Sequence, residues 1–335
     1  MPASVIPRNA ALIHGSVCTL VDTTHSGALA MKISAIVCTH NRKEYLRKSL
    51  ASLAAQTLPV EDYEIIAVDN ASSDGTGELV QREYSHIENL RYVYEPVLGL
   101  SRARNTGFET ARSEYVAFLD DDAVAEPDWL EMIVRALAGA DESVVCVGGR
   151  VDPIWEADRP EWLADALLPC LSVLDRGPSP VVLPENQHFV GANMAFRRSV
   201  LASIGGFSTN LGRKGGNLLS NEESLLRRRL IRSGYHCLYY PAARVGHHVP
   251  ADRLSRKWFA RRLFWQGISR GVMVRHLETL SANYRVRASL MLALRLRPWR
   301  YIASSLQRDD PEAFARRCDE ADKLGYIFGL LGRYR

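Results

Sequence analysis

The sequence is poor in the features that mark several special classes of protein. Only six of its 335 residues are cysteine, and no two of them have the Cys-x-x-Cys spacing typical of zinc and redox motifs. It contains no uninterrupted run of 18 apolar residues, so we expect no membrane-spanning helix, and we find no internal repeat. Hydrophobic residues make up 47% and charged residues 24% of the chain, which is the composition of a globular protein with one or two domains.

The first 31 residues lack a sustained hydrophobic period, and they lack the basic start and apolar core of a signal peptide. We expect this segment to be a flexible arm or the result of a start assigned too early, with Met31 as the true start. Because cysteines without a pairing motif are typical of reduced thiols, we predict a cytoplasmic protein.

Charge is unevenly distributed along the chain. Residues 251–335 contain 18 Lys and Arg against 8 Asp and Glu, a net charge of +10, whereas the first 250 residues carry −6. A basic C-terminal region favours an anionic partner, such as a phosphorylated substrate or the inner face of a membrane. A packed helix whose arginines extend to solvent is the alternative. Nucleic acid is not expected as a partner, since no recognition motif accompanies the charge.

Short apolar runs alternate with helical patterns from residue 33 onwards. The runs predict strands over residues 33–38, 64–68, 90–94 and 115–119. The segments between them have helical faces, with helices predicted over about 76–84 and 101–111. This alternation predicts an α/β fold with a mostly parallel sheet that helices cover on both faces.

The pattern is less regular after Pro127. There we expect an irregular segment over 153–184, a strand within 189–196, a helix from Ser220 to Gly234 and a mostly helical region over 251–335.

Polar clusters follow three of the predicted strands, over residues 39–42, 69–74 and 120–122. In open parallel sheets, ligands bind beyond the carboxyl ends of the strands. The position of these clusters therefore predicts a binding site at that edge, without reference to any known family.

Three consecutive aspartates, Asp120, Asp121 and Asp122, end the fourth predicted strand. In an extended backbone the first and third side chains point the same way. Two carboxylates about 4 Å apart repel by roughly 4 kcal/mol at an effective dielectric constant of 20, and a divalent cation removes that repulsion. Carboxylate oxygens suit Mg²⁺ or Mn²⁺, which are usually shared with phosphate oxygens. The alternative is a solvated acidic turn that caps the next helix.

Three further features have both a structural and a functional interpretation. Ser220 and Glu223 have the spacing of a capping box at a helix start, yet an acid in the first turn can also serve as a general base. His247 is either a structural histidine or a metal ligand. Asp69 either belongs to a turn or accepts hydrogen bonds from a nucleobase or ribose.

Taken together and in order, these segments resemble glycosyltransferase family 2, which has the GT-A fold. The resemblance extends from about residue 33 to 250 and rests on IVCTHNR (36–42), SLAAQT (52–57), VDNASSDGT (68–76), ARNTG (103–107), FLDDD (118–122), GAN (191–193), GGF (205–207) and EE (222–223). It implies a Rossmann-like, mostly parallel sheet flanked by helices. We accordingly expect a catalytic domain over 32–250 and a basic helical extension over 251–335.

The resemblance also implies roles on the donor side of the site. The nucleotide would be held by Thr39, Asn41, Arg42, Asp69, Arg104, Asp120 and Asp121, with Asp69 at the base. Asp120 and Asp122 would be the Asp-x-Asp pair for Mn²⁺ or Mg²⁺, with Asp122 the stronger ligand and His247 a further one.

On the acceptor side, the resemblance implies that Glu223, or alternatively Glu222, is the catalytic base and that Gly191 and Asn193 line the acceptor. The chain departs from the commoner family pattern at Glu223, where Asp is more usual, and at Asn221, where Gly is more usual.

The implied activity is that of an inverting glycosyltransferase. It would move a sugar from a nucleotide-diphosphate sugar, with UDP-sugars expected first, to a glycan or lipid-linked acceptor in cell-surface polysaccharide or glycolipid synthesis. Two alternatives stay open. A nucleotidyltransferase would need a glycine-rich phosphate loop, and residues 39–42 contain no glycine. A non-catalytic sugar-binding or scaffold protein would not need the intact set of Asp120, Asp122 and Glu223.

Overall fold

The computed structural model describes residues 31–185, 187–277, 283, 286–287, 290 and 311–334. The predicted flexible arm or misassigned start lies outside the described residues, except for Met31. Most of the basic segment 285–300 also lies outside them.

Strands and helices alternate through the first half of the chain and are mixed in the second. The strands are β1 (Ile33–Thr39), β2 (Tyr63–Asp69), β3 (Leu90–Tyr94), β4 (Tyr115–Asp120), β5 (Ala123–Ala125), β6 (Val144–Trp155), β7 (Val181–Val182), β8 (Asn193–Arg197) and β9 (His236–Val249). The α-helices are α1 (Lys43–Ala54), α2 (Thr76–Glu83), α3 (Leu100–Thr110), α4 (Trp129–Ala138), α5 (Arg198–Ser203), α6 (Glu222–Arg232), α7 (Arg256–Leu277) and α8 (Pro311–Leu331).

The strands form one nine-stranded sheet in the order β3-β2-β1-β4-β8-β6-β9-β5, with β7 paired to β9. The pairings β2·β3, β1·β2, β1·β4 and β6·β9 are parallel, and β8 is antiparallel to both of its neighbours. Because β8 is antiparallel to both β4 and β6, β4 and β6 run in the same direction. Six strands therefore point one way, and β5, β7 and β8 point the other way. The predicted α/β fold with a mostly parallel sheet is confirmed.

Register in the first half of the sheet brings the polar strand ends together. Every residue of β1 and β2 is buried, which explains their continuous apolar character. Thr39 pairs with Asp69, and Cys38 pairs with Asp120. The clusters that follow β1, β2 and β4 therefore meet at one edge, as predicted.

The long strands β6 and β9 are the main departure from the sequence-based prediction. Residues 153–155, expected to be irregular, belong to β6, and β9 had no predicted counterpart. Gly148, Gly149 and Pro153 interrupt the strand pattern of β6, and its pairing with β9 shifts register between Gly149 and Arg150. A Cβ atom on Gly149 would lie 1.8 Å from the carbonyl oxygen of Ala243, so close backbone approach requires glycine there.

Helices α7 and α8 pack with their backbones in contact. A Cβ atom on Gly267 would lie 1.9 Å from the carbonyl oxygen of Asp322, and one on Gly325 would lie 1.9 Å from that of Phe264. Gly271 and Gly329, one turn further along, have equally little space. Among the described helices, none combines the length and apolar character that crossing a lipid bilayer requires.

Candidate active site

A cleft of about 230 Å³ opens at the edge where the parallel strands end. We distinguish two sets of side chains that line it. The sheet cluster comes from the ends of β1 and β4 and from β9, and consists of Thr39, Arg42, Asp120, Asp121, Asp122 and His247. The helix cluster comes from α6, α7 and the loop before α6, and consists of Arg213, Glu222, Glu223 and Arg262.

Asp121 is a buried aspartate whose hydrogen bonds connect two segments of the site. Its carboxylate accepts hydrogen bonds from Thr39 Oγ1 at 2.8 Å and from Arg42 Nη1 at 2.6 Å. Burial raises the pKa of Asp121 to about 7, although Arg42 opposes the shift. Its side chain thus ties β1 and the β1–α1 loop to the end of β4.

Asp122 is surrounded by positive charge. Arg42 Nη2 donates to it at 2.7 Å, Arg253 Nη2 donates at 3.2 Å, and His247 Nε2 lies 3.2 Å from its Oδ1. Burial alone would raise the pKa of Asp122, but His247, Arg42 and Arg253 hold it well below its usual range. Asp122 is therefore a carboxylate and available as a metal ligand.

Pairing of β5 with β9 brings His247 to the aspartates. Ala123 is the register partner of His247, and the backbone N–H of His248 donates to the carbonyl of Asp122 at 2.8 Å. As a result, ligand atoms of Asp120, Asp122 and His247 lie within 4.8 Å of one another. This donor set of two carboxylates and one imidazole fits Mn²⁺ or Mg²⁺. The Nδ1 atom of His247 is buried and has no hydrogen-bond partner among the described residues.

Arg104 connects the two clusters. Its Nη2 donates to Asp120 at 2.9 Å and its Nη1 donates to Glu222 Oε1 at 2.6 Å. The guanidinium group is buried, and a Cβ atom on Gly191 would lie only 2.7 Å from it. Gly191 therefore lines the cleft at a place where a larger residue would displace Arg104, and its contact with an acceptor stays a prediction.

Glu222 and Glu223 each have a buried Oε2 atom without a hydrogen-bond partner among the described residues. They differ in that Arg104 donates a hydrogen bond to the other carboxylate oxygen of Glu222. Burial, and then the neighbouring charge of Glu222, raise the pKa of Glu223 to about 8. Since Glu222 is engaged by Arg104, Glu223 is the acid at this position that remains available to a substrate.

The predicted capping box at the start of α6 is wrong. The N-cap residue is Asn221, in a left-handed conformation with φ of 73°, and no side chain caps the helix. Ser220 Oγ instead contacts Gln266 and Ser269 of α7. Positive φ is accessible to Gly and Asn, which explains why Asn can stand where Gly is the commoner residue.

Asn193, predicted on the acceptor side, does not line the cleft. Its amide donates to the carbonyls of Arg150 and Ala243 and accepts from Trp129 Nε1, all within 2.9 Å. The side chain is buried and joins β8 to β6, β9 and α4. The Gly-Ala-Asn motif alone does not show this structural role, because the three hydrogen-bond partners of Asn193 lie 43 to 64 residues away in the chain.

Two other predicted donor residues lie beside the cleft and not in it. Asn41, with φ of 53°, binds Ser72 and Ser73 and so joins the loops after β1 and β2. Asp69 accepts hydrogen bonds from Tyr92 Oη at 2.7 Å and from the Ser72 N–H at 2.9 Å. It lines a separate cavity next to α2.

Sequence reasoning missed three arginines of the cleft, Arg213, Arg253 and Arg262. Two of them come after residue 250, so side chains from both sides of the predicted domain boundary line the same cleft. The excess of basic residues after 250 was the only signal that pointed to Arg253 and Arg262, it did not identify individual positions, and no signal pointed to Arg213.

Comparison with known proteins agrees with this geometry. The model of the family described as glycosyl transferase family 2 matches residues 34–205, just over half of the chain. The chain belongs to glycosyltransferase family 2. It is therefore a glycosyltransferase, and the sequence resemblance is confirmed.

Relatives in the family cover most of the chain. The glucosyl-dolichyl phosphate glucuronosyltransferase of Haloferax volcanii is 32% identical over 247 residues, which are 72% of this chain and 77% of that protein. The pre-mycofactocin glycosyltransferase of Mycobacterium tuberculosis is 28% identical over 75% of this chain, which spans only 49% of that longer protein.

Solved structures show the same GT-A fold. A mannosyltransferase from Pyrobaculum calidifontis, solved with GDP-Man and Mn²⁺, has a TM-score of 0.60 at 21% identity, with 90% of this chain and 88% of that chain covered. TarS of S. aureus, solved with UDP, has a TM-score of 0.51 at 16% identity over 88% of this chain and 90% of that chain.

Proposed function

We propose that this glycosyltransferase moves a sugar from a nucleotide-diphosphate sugar to an acceptor hydroxyl, with inversion at the anomeric carbon. One observation carries the proposal. A single cleft contains a candidate cation site, formed by Asp120, Asp122 and His247, and an acid, Glu223, whose buried Oε2 atom has no hydrogen-bond partner among the described residues. An acid that is not a metal ligand can deprotonate an acceptor in one displacement, without a covalent intermediate.

The donor is proposed to be a nucleotide sugar, with UDP-sugars tested first. The similar mannosyltransferase and TarS were solved with GDP-Man and UDP respectively, so both nucleotides are plausible on this fold. Thr39, Arg42 and Arg104 lie in the cleft where a diphosphate would meet the cation site. Asp69 is proposed to contact the base from the neighbouring cavity, after exchanging its bond to Tyr92.

The acceptor is proposed to be a glycan or a lipid-linked sugar used in building cell-surface polysaccharide or glycolipid. The relative from Haloferax volcanii is named for a dolichyl phosphate substrate. Residues 251–335, with their net charge of +10, are proposed to contact the inner face of the membrane from the cytoplasm.

The residues of the cleft divide the chemistry between them. Asp120, Asp122 and His247 would hold Mn²⁺ or Mg²⁺, which when bound neutralises charge on the diphosphate leaving group. Glu223 removes the proton from the acceptor hydroxyl, whose oxygen attacks the anomeric carbon from the face opposite the diphosphate. Arg104 fixes Asp120 and Glu222 relative to each other, which keeps the donor and acceptor sides in line.

The proposal is tested with a panel of nucleotide sugars in the presence of Mn²⁺ or Mg²⁺, by measuring the nucleoside diphosphate released by slow donor hydrolysis. We expect one donor to be preferred and EDTA to abolish turnover. Once a donor and an acceptor are known, NMR of the anomeric proton should show inverted configuration. Retained configuration, or turnover that is insensitive to EDTA, would contradict the proposal.

A further inference from the structure

Two arginines of the cleft form no salt bridge within the part of the chain that the structure describes. Arg42, Arg104 and Arg253 each donate hydrogen bonds to carboxylates of the site. Within the described chain, Arg213 and Arg262 form no such ion pair, although both line the same cleft. The Nη1 atom of Arg262 is buried and has no hydrogen-bond partner among the described residues.

These two cations line the same cleft as a third, Arg253. Burial, followed by the positive charges of Arg253 and Arg262, lowers the pKa of Arg213, and the charges of Asp122 and Asp120 oppose the shift. Burial also lowers the pKa of Arg262, against the charges of Cys170, Glu223 and Glu222, and Arg253 adds a smaller lowering effect. Guanidinium groups gathered in a partly dry cleft repel each other, and an anion placed between them removes that cost.

The loop that carries Arg213 and the helix that carries Arg262 are hydrogen-bonded to neighbouring elements. The carbonyl of Arg213 accepts from the Leu100 N–H at 2.9 Å, and Ser101 Oγ donates to the neighbouring Leu211 carbonyl at 2.7 Å. Helix α7, which carries Arg262, is bound to the start of α6 through Gln266 Nε2 and Asn221 Oδ1 at 2.8 Å. Such anchoring is typical of a preorganised binding site.

The position of Arg262 indicates which substrate the anion belongs to. Arg262 and Glu223 line the same cleft, and the charge of Arg262 lowers the pKa of that carboxyl group against the larger effect of burial. In an in-line displacement with inversion, the base and the leaving diphosphate lie on opposite faces of the anomeric carbon. A cation beside the base is therefore on the acceptor side.

We propose that Arg213 and Arg262 bind a phosphoryl group carried by the acceptor, next to the hydroxyl that Glu223 deprotonates. This inference rests on the proposed function and deepens it, because it gives the acceptor a chemical class, a phosphate ester. A planar guanidinium with several donors matches the geometry of phosphate oxygens.

Binding to the full-length enzyme, saturated with Mn²⁺ and the preferred nucleoside diphosphate, tests the inference by calorimetry. Farnesyl phosphate is compared with farnesol, and glucose 1-phosphate with glucose. We expect at least one phosphate ester to bind at least about tenfold more tightly than its phosphate-free partner, the effect of a hydrogen bond to a charged group. Which pair shows the difference tells whether the phosphate belongs to a lipid or to a soluble sugar.

Variants assign the effect to the two arginines. Arg262→Gln and Arg213→Gln should each weaken binding of that phosphate ester about tenfold, and Arg262→Lys should weaken it less. Affinity for the nucleoside diphosphate with Mn²⁺ should stay within about twofold of wild type, as should both affinities in Arg232→Gln, an exposed arginine of α6. Thermal melting checks that each variant is folded.

Two results would overturn the inference. If both phosphate esters bind no more tightly than their partners, the acceptor carries no phosphate at this site. If the glutamine variants lose nucleoside diphosphate affinity as much as phosphate ester affinity, the arginines bind the donor instead. Metal-dependent donor hydrolysis by the wild type separates either result from a failure of the proposed function.

Discussion

The sheet cluster and the helix cluster lie in one cleft but differ in how their polar atoms are satisfied. In the sheet cluster each aspartate has a cation within 3.2 Å, and His247 Nδ1 alone is buried without a hydrogen-bond partner among the described residues. In the helix cluster Glu222 Oε2, Glu223 Oε2 and Arg262 Nη1 are buried without partners among the described residues. A buried polar atom without a hydrogen bond costs about 1–3 kcal/mol.

The two clusters therefore differ in whether their side chains are fully held in place before a ligand binds. The sheet cluster is held by its own ion pairs, so its carboxylates are positioned in the absence of any ligand. The helix cluster has three buried atoms that the described chain leaves without hydrogen-bond partners, which is expected where a substrate hydroxyl or anion must bind. Arg104, bound to Asp120 and Glu222, is the side chain through which a change in one cluster reaches the other.

The largest effect is expected from damage to the sheet cluster. Asp122→Ala removes the carboxylate that Arg42, Arg253 and His247 share, together with a candidate metal ligand. Because charge stabilisation by a metal contributes several kcal/mol to the transition state, we expect turnover to fall by at least about 10³-fold. Donor hydrolysis and Mn²⁺-dependent nucleoside diphosphate binding should be lost together.

The matched control is Asp128→Ala, an exposed aspartate before α4 that makes no side-chain cap. It should behave as wild type in both assays. If Asp122→Ala keeps metal-dependent nucleotide binding, the cation does not bind at the sheet cluster. The assignment of different roles to the two clusters would then be wrong.

A substitution in the helix cluster should lower the rate of sugar transfer and leave the affinity for the nucleoside diphosphate unchanged. Glu223→Gln keeps the size of the side chain but removes the base, so we expect transfer to fall by about 10³-fold. Nucleoside diphosphate affinity should be unchanged, since the sheet cluster is intact. Glu109→Gln makes the same chemical change at an exposed position of α3 and should have no effect. Normal transfer by Glu223→Gln would mean that another group is the base, with Glu222 next to be tested.

The raised pKa of Glu223 predicts a pH dependence. A general base acts only when deprotonated, and the deprotonated fraction of a carboxyl group with a pKa of about 8 rises as pH increases. We expect kcat/KM, which reports the free enzyme, to rise about tenfold per pH unit below 8 and to level off above it. A profile that is flat from pH 6 to 9 would show that Glu223 is already ionised in the free enzyme.

The same contrast between regions explains what the sequence could predict. β1 to β4 were predicted within one residue at each end. β1, β2 and β4 lie inside the sheet, are buried and read as short apolar runs, whereas β3 is a half-buried edge strand. The position of the aspartates after β4 was therefore predictable, but the contacts of Arg42 and Arg253 with them, and the strand β9 that carries His247, were not.

The helix cluster depends on long-range contacts that leave little local signal. Arg262 reaches the cleft because α7 is held by Asn221 on one side and by the glycines facing α8 on the other. Asn193 appeared functional for the opposite reason, since a polar residue in an apolar strand can serve either a ligand or the core. Only the positions of Arg150 and Ala243 decide between the two.

The smallest effect is expected at Asn221, which orients the first turn of α6. Its left-handed conformation costs most non-glycine residues about 1–2 kcal/mol, and its side chain adds a hydrogen bond to Gln266 worth about 1 kcal/mol. Asn221→Val should therefore lower the free energy of unfolding by about 2 kcal/mol or more in urea denaturation. Asn221→Gly loses the hydrogen bond but relieves the strain, so it should stay within about 1 kcal/mol of wild type. Equal stability of the two variants would show that backbone strain does not position Glu222 and Glu223, and that the helix cluster is held by α7 alone.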